Sequence, residues 1–173
     1  YLKTYTVFNV EQIDGLPESY YNKPEAVESD ISPIAQLESF FQKTGAKIRN
    51  GGRRAYYNTS LDFIQMPYLE CFKDAEAYYA TLAHELTHWT KHKSRIDRDF
   101  GGKRFGDHGY AVEELVAELG SAFLCAHLGI TPEVQPDHAQ YLNHWLEVLK
   151  ADKKAIFTAA SHAQKAVDYV LNI

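Results

Sequence analysis

Three features place this 173-residue sequence in the α+β class, with a small mixed or antiparallel sheet leading into a helical lobe. Residues 46–66 hold short β-branched and aromatic runs broken by glycine and proline. Residues 74–92 and 110–128 carry apolar side chains at helical spacing. The stretch after Pro136 keeps the helical period, and no linker or repeat marks a second domain. At 45% hydrophobic and 24% charged, the chain has the composition and length of one globular domain with a real core.

In chain order, residues 4–10 (TYTVFNV) read as a strand and the polar stretch with Gly15, Pro17 and Pro24 as a long loop. Ser32-Pro33 supplies an N-cap and a first-turn proline. Ile34, Leu37, Phe40 and Phe41 then form a helical stripe, and Gly45 is the stop. Three strands follow at 46–50, 54–58 and 62–66, the first two joined across Gly51-Gly52 as a hairpin, so that a meander is expected. The meander serves as scaffold, and its edge also offers an extended peptide a place to add a strand.

The helix at 74–92 aligns Ala75, Tyr78, Leu82, Leu86 and Trp89 on one side. His84 and His88 of the sequence H-E-x-x-H lie nearly opposite, one turn apart, where two imidazoles can face one ion with Glu85 beside them. Lys91, Lys93, Arg95 and Arg98 follow and read as a solvated helix end complementing the dipole. After a glycine-rich loop, the helix at 110–128 places Val112, Leu115, Val116, Leu119, Phe123 and Ala126 on one side, with Tyr110, Glu114, Glu118 and Ser121 on the other. Two further helices are expected over about 137–150 and 152–171.

A catalytic zinc needs three protein ligands and an open position, so a third donor must come from the 113–118 stretch. Glu114 and Glu118 share a face while Glu113 is turned away toward solvent. Glu114 is assigned as the ligand and Glu118 as the group that orients a ligating histidine. The bland alternative is a pair of surface carboxylates on an amphipathic helix. His92 continues the i, i+4 series but lies too far from His84 to share its ion. His108, His127, His138, His144 and His162 show no ligand spacing. Tyr110, one turn before Glu114, is the foremost candidate to stabilise an oxyanion, ahead of His108 and His162. A zinc ion so held acidifies water toward a pKa of about 7, and Glu85 is placed to carry a proton from that water to a leaving amine.

Several classes are excluded or disfavoured. A net charge of −5 gives no electrostatic footprint for nucleic acid. No G-x-S-x-G, catalytic cysteine set or phosphate-binding glycine loop is present. No apolar run approaches transmembrane length, and no signal peptide is visible. Cys71 and Cys125 read as buried free thiols of a reducing, cytoplasmic compartment. The first residue is Tyr1, without a methionine, so the chain is expected to be a fragment.

His84-Glu85-Leu86-Thr87-His88 with Glu114-Leu115-Val116-Ala117-Glu118 resembles the zincin metallopeptidases whose third ligand is a glutamate. Four segments together resemble the C-terminal domain of ArdC-type antirestriction proteins and the related TraC-type conjugative primases. They are 52–58 (GRRAYYN), 72–79 (FKDAEAYY) running into HELTHWT, 110–123 (YAVEELVAELGSAF) and 151–157 (ADKKAIF). The resemblance spans nearly the whole chain. It implies a zincin-like fold, a plasmid or mobile-element origin, and a single-stranded-DNA-binding domain on the N-terminal side in the full-length proteins. Two functions follow as expectations: a zinc metallopeptidase acting on a protein or peptide, or a zinc-stabilised, non-catalytic domain that blocks a restriction or other host protein.

Overall fold

The computed structural model describes residues 12–17, 31–101, 108–131, 145–146, 149–150 and 152–173. The chain divides into two compact units, Tyr1–Asp30 and Ile31–Ile173. In the first, the described residues form a turn in which Gly15 takes a positive φ of 79°. The strand expected at 4–10 lies outside the described residues, as does most of the helix expected at 137–150.

The second unit is α+β: four helices and a three-stranded mixed sheet among the described residues. Helix α1, Ala35–Lys43, buries Leu37 and Phe41, one turn apart. It starts later than the Ser32-Pro33 signal suggests. Ile34 is the N-cap residue and makes no side-chain cap bond. Its N–H donates to the Tyr79 hydroxyl at 3.2 Å, and that hydroxyl donates to Glu38 at 2.7 Å. A tyrosine from another helix thus organises the turn that a local serine was expected to cap. Gly45, at φ 70°, ends the segment as expected.

Strands β1 (Ile48–Asn50), β2 (Tyr56–Asn58) and β3 (Phe63–Met66) run in the order β1-β3-β2. β1 is parallel to β3, with Ile48 opposite Ile64; β2 is antiparallel to it, with Tyr57 opposite Ile64. The expected hairpin across Gly51-Gly52 is therefore absent, because β3 lies between its two arms. Burial decides the order. Phe63, Ile64 and Met66 are buried, whereas β1 and β2 are half-buried or exposed and occupy the edges. The glycine pair carries the chain out of β1: Gly51 N–H donates to Met66 O at 2.8 Å, and Gly52 takes a φ of 72°.

After a 3₁₀ turn at Leu69–Cys71, helix α2 spans Ala75–Thr90. Asp74 caps it, its carboxylate accepting the Ala77 N–H at 2.7 Å. Tyr78, Leu82, Leu86 and Trp89 are buried as the periodicity predicts. So are Ala83, Thr87 and Thr90, because α2 packs against β2 and β3, against α3 (His108–Leu128) and against α4 (Ala155–Leu171). Gly120 of α3 lies against Thr87: a Cβ there would stand 2.5 Å from Thr87 Cγ2, so only glycine permits this approach. Helix α4 lays Ala159 and Ala163 against Leu115 and Val116 of α3. Of the two cysteines, both unpaired, Cys125 is buried as expected but Cys71 is exposed, since the 3₁₀ turn that carries it buries no side chain.

Candidate metal centre

His84 and His88 project from successive turns of α2, and Glu114 from the second turn of α3. One donor atom from each lies within 4.8 Å of the others. His84 Nε2 is 3.6 Å from Glu114 Oε2, and His88 Nε2 is 3.6 Å from Glu114 Oε1. Two ligand atoms each about 2.1 Å from a tetrahedral ion stand about 3.4 Å apart, so the spacing suits a small cation. The remote ring nitrogens complete the fit. His88 Nδ1 is 2.9 Å from Glu113 Oε1, and His84 Nδ1 is 3.5 Å from Glu118 Oε1. With Nδ1 engaged by a carboxylate, each ring turns Nε2 toward Glu114.

The electrostatics match this arrangement. Burial opposes charge on both Glu113 and Glu114, yet each carboxylate is held low. Glu113 falls to about 2 through hydrogen bonds from His88 and Arg98. Glu114 lies well below the usual carboxylate range through its bonds with His84 and His88. Burial likewise works against a charged His88, but Glu113 and Glu114 outweigh it and raise the imidazole to about 10. The three donors form a cluster that favours positive charge between them, the condition a divalent cation meets.

Glu85, beside His84 on α2, is 7% exposed. Glu118 is half-buried one turn beyond Glu114, and Tyr110 is half-buried one turn before it. His92 points elsewhere, half-buried and with its Nδ1 2.7 Å from Ser94 Oγ. His162 packs edge-on against Phe100, with ring centroids 5.0 Å apart. The side chain of His108, at the start of α3, is outside the described set.

Two readings of charge are corrected. Glu113, expected to face solvent, is 7% exposed. It lies in a run, 111–117, that is buried throughout because α3 is covered by both α2 and α4. Arg95 and Arg98, expected to be solvated, turn inward. Arg98 donates to both oxygens of Glu113, at 2.8 and 2.9 Å. Arg95 pairs with Asp62 and lies over the Trp89 ring, 3.8 Å from its centroid. For Arg98 and Glu113 the signal was a pair of opposite charges that must find each other once buried, whereas Asp62 stays partly exposed. A separate recess of about 560 Å³ at the β1–β2 loop is lined by Asn50, Gly51, Arg53, Arg54, Tyr56 and others, and includes none of the three donors.

Comparison with known proteins gives this geometry a context. Residues 35–162 match the family model MPTase-PolyVal, described as a zincin-like metallopeptidase. The chain is 47% identical over 171 residues to the uncharacterized protein y4eC of Sinorhizobium fredii, covering 98% of this chain and 54% of that protein. It is 45% identical over 167 residues to a DNA primase TraC of Escherichia coli, covering 96% of this chain and 15% of the primase. Among solved structures, the Mn(II)-bound antirestriction protein ArdC from plasmid R388 superposes with a TM-score of 0.75 at 48% identity, covering 99% of this chain and 62% of ArdC. The metal-free form of ArdC gives 0.71 at 51% identity, covering 99% of this chain and 61% of that one. The chain thus spans little more than half of y4eC, about three fifths of ArdC and a small part of the primase. On a family match that takes in the sheet, α2, α3 and the three converging donors, the chain belongs to the zincin-like metallopeptidases of the MPTase-PolyVal family.

Proposed function

We propose that this domain is a metal-dependent peptidase in an antirestriction-type protein of a plasmid or mobile element, with His84, His88 and Glu114 holding Zn²⁺. The observation that carries the reading is the donor set itself: three donors within 4.8 Å of one another, with a carboxylate facing the far nitrogen of each imidazole. The existence of a Mn(II)-bound form of ArdC supports divalent-cation binding. When bound, the cation supplies a Lewis acid that acidifies water and polarises a carbonyl oxygen.

The remaining steps fall to the chain's own residues. Glu85 takes the proton of the attacking water as the new C–O bond forms, and returns it to the amide nitrogen as the C–N bond breaks. Glu118 orients His84, and the Tyr110 hydroxyl donates to the oxyanion that develops on the carbonyl. Among the described residues β2 is an edge strand that packs against α2, which suits it to receive an extended peptide. A protein or peptide is the substrate, and a single-stranded-DNA-binding region on the N-terminal side brings the domain to incoming DNA. No described helix is long and apolar enough to cross a membrane, in keeping with action in the cytoplasm.

The test incubates zinc-loaded protein with unfolded protein substrates beside a Glu85→Gln control. Cleavage by the wild type alone supports the reading; cleavage that survives the substitution removes Glu85 from it. Should Glu85→Ala leave antirestriction intact in cells while His88→Ala unfolds the domain, the metal is structural and the domain acts by binding a partner.

A further inference from the structure

We propose that Arg98, acting through Glu113, is a positioning residue for His88 and so governs how tightly the centre closes on a divalent cation. The inference rests on the metal reading of His84, His88 and Glu114. The Arg98 side chain is 1% exposed, and its guanidinium makes four hydrogen bonds in two directions. Toward α3, Nε donates to Glu113 Oε2 at 2.8 Å and Nη2 to Glu113 Oε1 at 2.9 Å, gripping both oxygens in the plane of the fork. Toward α2, Nη1 donates to Thr90 Oγ1 at 3.1 Å and Nη2 to Thr87 O at 3.0 Å.

His88 lies between those two contacts. Thr87 and Thr90 flank it on the last turn of α2, and its Nδ1 meets the same Glu113 Oε1 that Nη2 holds. Arg98 is therefore fastened at once to the backbone that carries the imidazole and to the carboxylate that turns it. With both ends tied to one rigid plane, the His88 ring has a single orientation, the one that points Nε2 at Glu114. Backbone geometry delivers the arginine. Asp97 takes a φ of 49°, and Arg98 N–H donates to Lys91 O at 3.1 Å, folding the link after α2 back beneath that helix.

A purely structural arginine would close the end of α2 without affecting the cation, and Arg95 supplies the control. It leaves the same link, donates to Trp89 O at 2.6 Å and pairs with Asp62, with no bond to Glu113. The experiment compares wild type, Arg98→Met, Arg98→Lys and Arg95→Met by calorimetric titration with Zn²⁺, well below each melting temperature. The His88 Nδ1–H resonance of the zinc-loaded proteins is followed by ¹⁵N NMR. Arg98→Met is expected to lose about 10- to 100-fold in affinity and to broaden that resonance, while Arg95→Met stays within about threefold of wild type despite a lower melting temperature. Arg98→Lys keeps the charge but not the planar fork, and falls between; it also serves if the methionine variant does not fold. Unchanged affinity and an unchanged resonance in a folded Arg98 variant overturn the inference, as does an equal loss in Arg95→Met. A wild type that binds no Zn²⁺ sinks the metal reading and this inference together, an outcome distinct from a wild type that binds while Arg98 proves indifferent.

Discussion

Glu113 sits among three positive partners, the Arg98 guanidinium, the His88 imidazole and, at 3.6 Å, the Lys91 ammonium, and their interplay predicts how the centre responds to pH. His88, raised to about 10 against its ordinary value of 6.5, carries a proton at pH 7 in the metal-free protein. A cation must displace that proton, so binding at pH 7 is expected to release about one proton, read as a dependence of the calorimetric enthalpy on buffer ionisation heat. An enthalpy that is the same in all buffers would show His88 to be neutral beforehand. The sign for stability follows: the imidazolium's contribution to the metal-free fold is full below pH 6.5 and is lost as pH rises through about 10. The metal-free melting temperature should fall across that interval, and Glu113→Gln should flatten the fall. Glu113 was hidden from the sequence for a definite reason. Assigning it to solvent assumes a helix with one wet face, and α3 is roofed on two sides, which no periodicity within 108–128 reveals.

At the scale of elements, the crossing of α2 and α3 sets the distance from the two histidines to Glu114, and Gly120 against Thr87 sets that crossing. Gly120→Ala adds a methyl where a Cβ would stand 2.5 Å from Thr87 Cγ2, so the helices must part. The expected cost is about 1–3 kcal/mol by denaturant titration, with weakened metal affinity in the folded fraction. An unchanged midpoint would mean the crossing has slack. At the other end of α2, Asp74→Ala removes the bond to the Ala77 N–H and should cost about 1 kcal/mol while sparing the metal, since the cap lies more than two turns from His84. The helices themselves were legible because apolar side chains recur at helical spacing, as Tyr78, Leu82, Leu86 and Trp89 do along α2. The sheet was legible only in part. Glycine pairs report a change of direction, not which strand arrives alongside, and strand order followed from β3 being the most apolar of the three.

For the whole described unit, the sheet and α2 form one layer of contacts, and α3 with α4 form another, with the three donors spanning α2 and α3. A cation bridging them stabilises the fold as any ligand of the native state does, by about 4 kcal/mol at a free concentration a thousandfold above its dissociation constant. Thermal melts with and without a chelator should separate accordingly; coincident melts would mean that no ion links the helices. The sheet carries a consequence for synthesis. β1 and β2 emerge from the ribosome first, yet neither can find its neighbour until residues 63–66 have followed and slipped into the gap between them. The adjacent antiparallel pair β2–β3 can close as soon as residue 66 has emerged, and β1 then docks in parallel along the far side of β3.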